Sequence, residues 1–290
     1  DTALEANYRV MLQLRTMPET ILNWGNDNSE IDNWLIARLK QRVAEFNQAM
    51  DTYDLRRAVE ISHYELIKDS NWYTRRGGNN STIGRTILES WTYLISVSTP
   101  HLAEEWGRCL GWQQMVSASQ MKNVEPVTSA EENLLDYEFT MRNVLENARK
   151  VKTIAQKHLG GEAQSLTLIV APEWKNQLSR AAITYLNDGG NVKQFIQVLK
   201  EMDFVNESNK GEILAYWNKR MLSQVFKWDD KSKSLILDEI NELKVLSDRA
   251  EFIAGELDLG EVVVVTAENY PGDDGRENSA LPLNPSIVFA

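Results

Sequence analysis

Over the first 112 residues apolar side chains return every three or four positions, a period that commits this part of the chain to helices. The clearest run is Ile31, Trp34, Leu35, Leu39, Val43, Phe46 and Met50. Ser29 precedes it as an N-cap, and Glu30 and Asp32 place negative charge where a helix N-terminus favours it. Leu4, Tyr8, Met11, Leu12 and Arg15 form an earlier repeat, which the MPET (17–20) and WGNDNS (24–29) turns are expected to close. After the DTYD turn (51–54) a third helix carries Leu55, Ala58, Val59, Ser62, Tyr64 and Leu66 and stops at TRRGGNNS (74–81). A fourth, from Thr82 to about Val97, carries Ile83, Ile87, Leu88, Trp91, Leu94 and Ile95. The pattern predicts an N-terminal antiparallel helical bundle with short connections, over residues 1–124.

Periodicity fades over residues 115–131, around Pro126, so a domain boundary is expected near 125. Beyond it a long helix is expected at about 131–158, then a buried strand SLTLIVA (165–171) and a helix opened by Pro172. Further helices are expected at roughly 191–202, 210–226 and 238–257. EVVVVTA (261–267) and the close of LPLNPSIVFA (281–290) read as two more strands. The chain is therefore expected to be mainly α, its bundle followed over 125–290 by a small α+β domain of about three strands.

Net charge is −11 over 290 residues, which argues against indiscriminate nucleic-acid binding. Residues 251–290 hold eight acids and one base, Arg276, while the rest carries 30 basic and 34 acidic residues. Most of the chain thus has room for local basic patches. One cysteine excludes an internal disulfide and fits a reducing, cytoplasmic setting. No apolar run approaches a bilayer span, and no signal peptide is visible. A first residue other than Met suggests a piece of something longer.

STPHLAEEWGRCLG (98–111) gathers His101, Glu104, Glu105 and Cys109 as an incomplete zinc-type pattern, with Glu105 where a second His is needed. Helical phasing instead puts Leu102, Trp106, Cys109 and Leu110 on one apolar face, with His101 and the carboxylates on the polar one and Glu104 at ion-pair spacing from Arg108. KSKS (231–234) reads as a surface turn, and Asp229–Asp230 and Asp273–Asp274 as solvated loop carboxylates. No phosphate-binding glycine motif occurs, so no catalytic residue, metal site or cofactor is expected within the chain. The functional signal lies in the bases. Arg75 and Arg76 sit at a helix end beside Trp72 and Tyr73, with Arg85 across the loop, a grouping suited to phosphate contacts. Arg149, Lys150, Lys152 and Lys157 make a second strip on the long helix.

EIDNWLIARL (30–39), YDLRRAV (53–59), NWYTRRGG (71–78) and PHLAEEWGRCLG (100–111) resemble the anticodon-binding bundle of class Ia aminoacyl-tRNA synthetases. With SLTLIVAPEWK (165–175), GEVVVVTA (260–267) and ALPLNPSIVFA (280–290), they look most like the C-terminal part of archaeal and eukaryotic leucyl-tRNA synthetases. The resemblance implies a part that positions leucine tRNA by its inner side and long variable arm. ATP and Mg would then serve a catalytic domain outside this chain, with that domain and the editing domain as its other partners; neither membrane nor DNA is expected. The role of touching variable-arm bases would fall on Val288, Phe289 and Ala290, with Phe289 available to stack. Alternatives are a non-catalytic protein-interaction scaffold and the equivalent part of another class Ia synthetase.

Overall fold

A computed structural model describes residues 2–159, 163–207, 209–272 and 274–290, and the chain divides into two compact units, Asp1–Leu135 and Asp136–Ala290. The first unit is helical: α1 (Thr2–Leu22), α2 (Glu30–Asp51), α3 (residues 55–75), α4 (Ser81–Ser96) and α5 (Pro100–Cys109). Its core contains Leu14, Ile21, Trp34, Leu35, Ile87, Leu88, Trp91 and Trp106. Ser29 starts α2 as expected, its N–H donating to Asp32 Oδ2 at 3.3 Å and its hydroxyl to Oδ1 at 3.1 Å.

The MPET segment does not end α1, which runs through Pro18 to Leu22. Leu14, Met17 and Ile21 fall on one face and are all buried. Burying such side chains, at about 1.5–3 kcal/mol each, outweighs a proline penalty of about 3 kcal/mol. The earlier repeat Leu4, Tyr8, Met11 and Leu12 is left exposed. One turn of α3, Ile61–Glu65, is π-helical, and the Ser62 carbonyl there accepts Trp91 Nε1–H from α4 at 2.6 Å.

Two turns expected only to punctuate the helices pair with each other. β1 (Asn26–Asp27) and β2 (Asn79–Asn80) form an antiparallel ladder with Asn26 opposite Asn80.

In the second unit α6 (Ser129–Leu159), whose first residues belong to the first unit, leads to β3 (Ser165–Val170). Then come α7 (Glu173–Asn187), α8 (Phe195–Leu199), α9 (residues 210–224, with a π turn at Trp217–Met221), α10 (Asp230–Leu237), α11 (Glu242–Ser247) and α12 (Ala250–Glu256). β4 (Glu261–Thr266) and β5 (Ser286–Phe289) complete a three-stranded sheet of order β4-β3-β5, matching the expected strands. β4 lies parallel to β3, with Ser165 opposite Glu261, and β5 antiparallel, with Leu166 opposite Phe289. A parallel pair demands a long crossover, which the helices α7 to α12 provide. Their core includes Leu178, Phe195, Trp217 and Met221, and α11 and α12 contact β4. The single helix expected over 238–257 is two, α11 and α12, divided at Asp248 and Arg249.

Candidate nucleic-acid interface

The end of α3 is held by a polar knot around Asp32. Tyr73 Oη donates to Asp32 Oδ1 at 2.6 Å and accepts the Asn80 N–H at 3.1 Å, while Asn80 Nδ2 donates to Asp32 Oδ2 at 3.0 Å. Asn80 Oδ1 in turn accepts the Thr82 and Ile83 N–H groups, capping α4. Burial works against the Asp32 carboxylate, yet hydrogen bonds from Tyr73, Asn80 and Ser29 hold it below the usual range. Gly78 has to be glycine here, because a Cβ would lie 2.3 Å from the Tyr73 ring. Gly77 takes a φ of +83°, which turns the chain out of the helix.

On this knot stand Arg75 and Arg76. Arg75 is exposed and its Cζ lies 5.3 Å from the centroid of the buried Trp72 ring, so the guanidinium is presented over an aromatic face. Arg76 is half-buried beside it. Arg85 points elsewhere: it donates to the Leu110 carbonyl at 2.6 Å, closing the end of α5, and pairs with Glu89 at 3.5 Å. The expected three-arginine group is therefore a pair plus a structural cap.

The strip on α6 is also divided. Arg149 pairs with Glu256 and Lys152 Nζ donates to the Leu257 carbonyl, both fastening α6 to the end of α12. Lys150 and Lys157 are exposed, and neither has an ion-pair partner among the described residues. At the last strand, Val288 is half-buried opposite Thr167, and Phe289 is only 7% exposed. Phe289 is thus placed in the sheet rather than free to stack. The exposed Ala290 is held through its backbone, its carbonyl accepting Gln164 and Ser165 N–H at 2.8 and 3.0 Å.

Several other bases are committed to folding, which sequence reading had not distinguished. Arg42 meets Asp69 at 2.9 Å and also pairs with Glu65, while Arg38 reaches Asp69 at 3.3 Å. Arg57 joins Glu45 at 2.7 Å and Glu65 at 2.6 Å, tying α2 to α3. A cleft of about 750 Å³ in the first unit holds the Tyr93–Trp112 ring pair. Its lysines are neutralised, Lys40 by Glu131 at 2.7 Å and Lys122 by Glu89 at 3.1 Å, which weakens its appeal to phosphate.

The HLAEE segment is a helix end, but with a different buried face from the one expected. Ala103, Trp106, Gly107 and Leu110 are buried, and Cys109 is exposed. Ala103 and Gly107 are small enough for that face to pack closely, and the packing rotates Cys109 outward. Glu104 accepts Val116 and Ser117 N–H at 3.1 and 3.4 Å, holding the following loop rather than Arg108. KSKS lies in α10, where Lys231 pairs with Asp136 and Asp229 caps the helix through Ser232 N–H at 2.7 Å. Asp273 lies outside the described residues, and Asp274 pairs with Arg276 at 2.9 Å. Among the described residues no group of His, Cys, Asp and Glu is arranged to hold a metal, and no helix is long and apolar enough to cross a membrane.

Comparison with known proteins identifies what the chain is similar to. Residues 32–165 match the family model of the anticodon-binding domain of tRNA ligase. The leucine–tRNA ligase of Methanococcus vannielii is 30% identical over 263 residues, covering 90% of this chain and 25% of that protein. That of Methanocaldococcus jannaschii is 26% identical over 281 residues, covering 97% and 27% respectively. For Archaeoglobus fulgidus the figures are 27% identity over 272 residues, 94% and 26%. The chain thus spans about a quarter of the length of the curated relatives it matches. An anticodon-binding-type bundle followed by a small α+β unit, collinear with these proteins over nine-tenths of its length, makes this chain similar to the C-terminal part of archaeal-type leucyl-tRNA synthetase.

Proposed function

We propose that this chain is a tRNA-holding part of a leucine–tRNA ligase. It binds leucine tRNA by the inner side and the long variable arm, and orients the acceptor end toward a catalytic domain outside the chain. The parent reaction in this reading is ATP-dependent leucylation, with ATP and Mg²⁺ used in that domain. Binding energy becomes orientation, which contributes to rate without any bond chemistry here. The observation that carries the reading is the match of residues 32–165 to the anticodon-binding domain of tRNA ligase, within a chain collinear with leucine–tRNA ligases.

The Arg75–Arg76 pair on its rigid knot supports a phosphate contact from the bundle, and exposed Lys150 a second from the α+β unit. At the last strand, Val288 and Ala290 are the accessible members of the trio proposed to meet variable-arm bases. Electrophoretic shift measurements with leucine tRNA, serine tRNA and a short-armed tRNA across a salt series test the proposal. Leucine tRNA is expected to bind most tightly, with affinity falling as salt rises. Equal affinity for all three, or no binding at low salt, overturns it. Val288→Glu is expected to weaken leucine tRNA while leaving the short-armed tRNA unchanged.

A further inference from the structure

The carboxyl ends of the parallel strands β3 and β4 open on a cavity of about 330 Å³ in the second unit, a volume within the range of small-ligand sites. Its charged lining is Glu173, Glu239, Glu242, Glu268 and Arg180. Arg180 meets Glu173 at 2.8 Å and Glu239 at 3.5 Å, so one cation serves a wall of four carboxyl groups.

Glu242 is the unusual member. It is 6% exposed and its Oε2 accepts the Leu283 N–H at 3.1 Å. Its Oε1 has less than 1 Å² of accessible area and no hydrogen-bond donor among the described residues. A buried acceptor left unmatched costs about 1–3 kcal/mol. Helix capping does not explain it, because Asn241 caps α11 through the Lys244 N–H at 2.9 Å. Burial pushes the carboxyl up to about 8, against the pull of the Leu283 N–H. What Glu242 Oε1 lacks is a donor, because Arg180, the cation of the lining, is engaged by Glu173 and Glu239. Leu235, Ile236 and Pro282 add apolar wall beside the carboxyl groups, suited to an aliphatic stem with a charged head.

We propose that this cavity binds a single alkylammonium or guanidinium group, which donates to Glu242 Oε1 and is neutralised by Glu239 and Glu268. The group belongs either to a free amine or to a lysine or arginine side chain of another protein. The site is separate from the arginine pair of the first unit and does not depend on RNA binding.

Isothermal titration calorimetry of the full chain distinguishes these sources, using agmatine, putrescine and a short blocked peptide with one central arginine. Titration at pH 7 in two buffers of different ionisation enthalpy reports the proton released as Glu242 becomes a carboxylate. The expected result is saturable binding with proton release, tightening as pH rises through about 8. Glu242→Gln is expected to weaken it by at least about tenfold and Glu268→Gln by about threefold. Circular dichroism and thermal unfolding verify that both variants fold. Binding of agmatine or putrescine assigns a free amine; binding of the peptide alone assigns a protein side chain. Absence of saturable binding by all three, or equal binding by folded Glu242→Gln, overturns the proposal.

Discussion

In the first unit the buried carboxylates Asp32 and Asp69 each collect several donors, Tyr73, Asn80 and Ser29 around one, Arg38 and Arg42 around the other. In the second unit Lys175 and Glu242 are buried on different terms. Among the described residues Lys175 Nζ donates to the Asn278 and Ala280 carbonyls, at 3.0 and 2.9 Å, beside the Trp174 and Tyr216 rings. Glu242 receives one backbone N–H. Burial accordingly drives both toward neutrality, Lys175 down to about 8 and Glu242 up to about 8. Paired charge makes the first unit a rigid mount for surface arginines. Unpaired charge leaves the second unit sensitive to proton concentration near neutrality.

The largest loss of stability is expected at Asp69. Asp69→Ala leaves Arg42 buried beside a diminished partner set, and about 3–5 kcal/mol of stability should be lost in denaturant unfolding followed by tryptophan fluorescence. A loss below about 1 kcal/mol would mean that Glu45 and Glu65 suffice for Arg42.

The pH response should come next. For Glu242 the folded pKa is raised, so its contribution is full below the ordinary carboxyl value and is lost as pH climbs toward about 8. Glu242→Gln should remove that downward slope and raise stability at pH 8 by on the order of a few kcal/mol, read from thermal unfolding at a series of pH values. For Lys175 the folded pKa is lowered, so the unfolded chain binds more protons between about 8 and the ordinary lysine value, and stability rises with pH there. Lys175→Met should flatten this rise. In the first unit Asp32 and Glu65 are both held low, Glu65 by Arg57 and Arg42 against its burial. Their contribution should disappear only as pH falls through the carboxyl range.

Tyr73→Phe removes the hydroxyl shared by Asp32 and Asn80 and should cost about 1–3 kcal/mol in the same unfolding measurement. A smaller effect on stability, about 1 kcal/mol, is expected from Arg75→Ala with Arg76→Ala, which removes the Arg75 contact over Trp72. The same double variant should reduce the slope of log affinity for tRNA against log salt by about 2. An unchanged slope would remove the arginine pair from the interface.

What could be read directly from residues was whatever a local period encodes. α2 follows from Ile31 through Met50, and β3 and β4 follow from short β-branched runs between turn signals. Cys109 shows the limit: two apolar faces of α5 were nearly equivalent by period, and the small residues Ala103 and Gly107 chose between them through packing. The β1–β2 ladder was illegible because its two segments lie more than fifty residues apart and each resembles an ordinary turn. Among the bases, no local signal separates Arg75, presented over Trp72, from Arg149, engaged by Glu256 over a hundred residues later. Glu242 looked like any acid opening a helix. Only the return of Leu283 to its side chain reveals that it is buried.

The sheet order β4-β3-β5 also dictates when the second unit can come into being. β3 pairs with nothing nearby in sequence: one neighbour arrives about a hundred residues later and the other later still. Each closure forfeits loop entropy before any ladder bond repays it, so this sheet belongs among slow, non-local assemblies. During synthesis the helices of the first unit can settle while β3 still waits, an apolar strand without either edge partner. Until β4 and then β5 emerge, that strand is the place where the nascent chain is most exposed to mispairing and most in need of shelter.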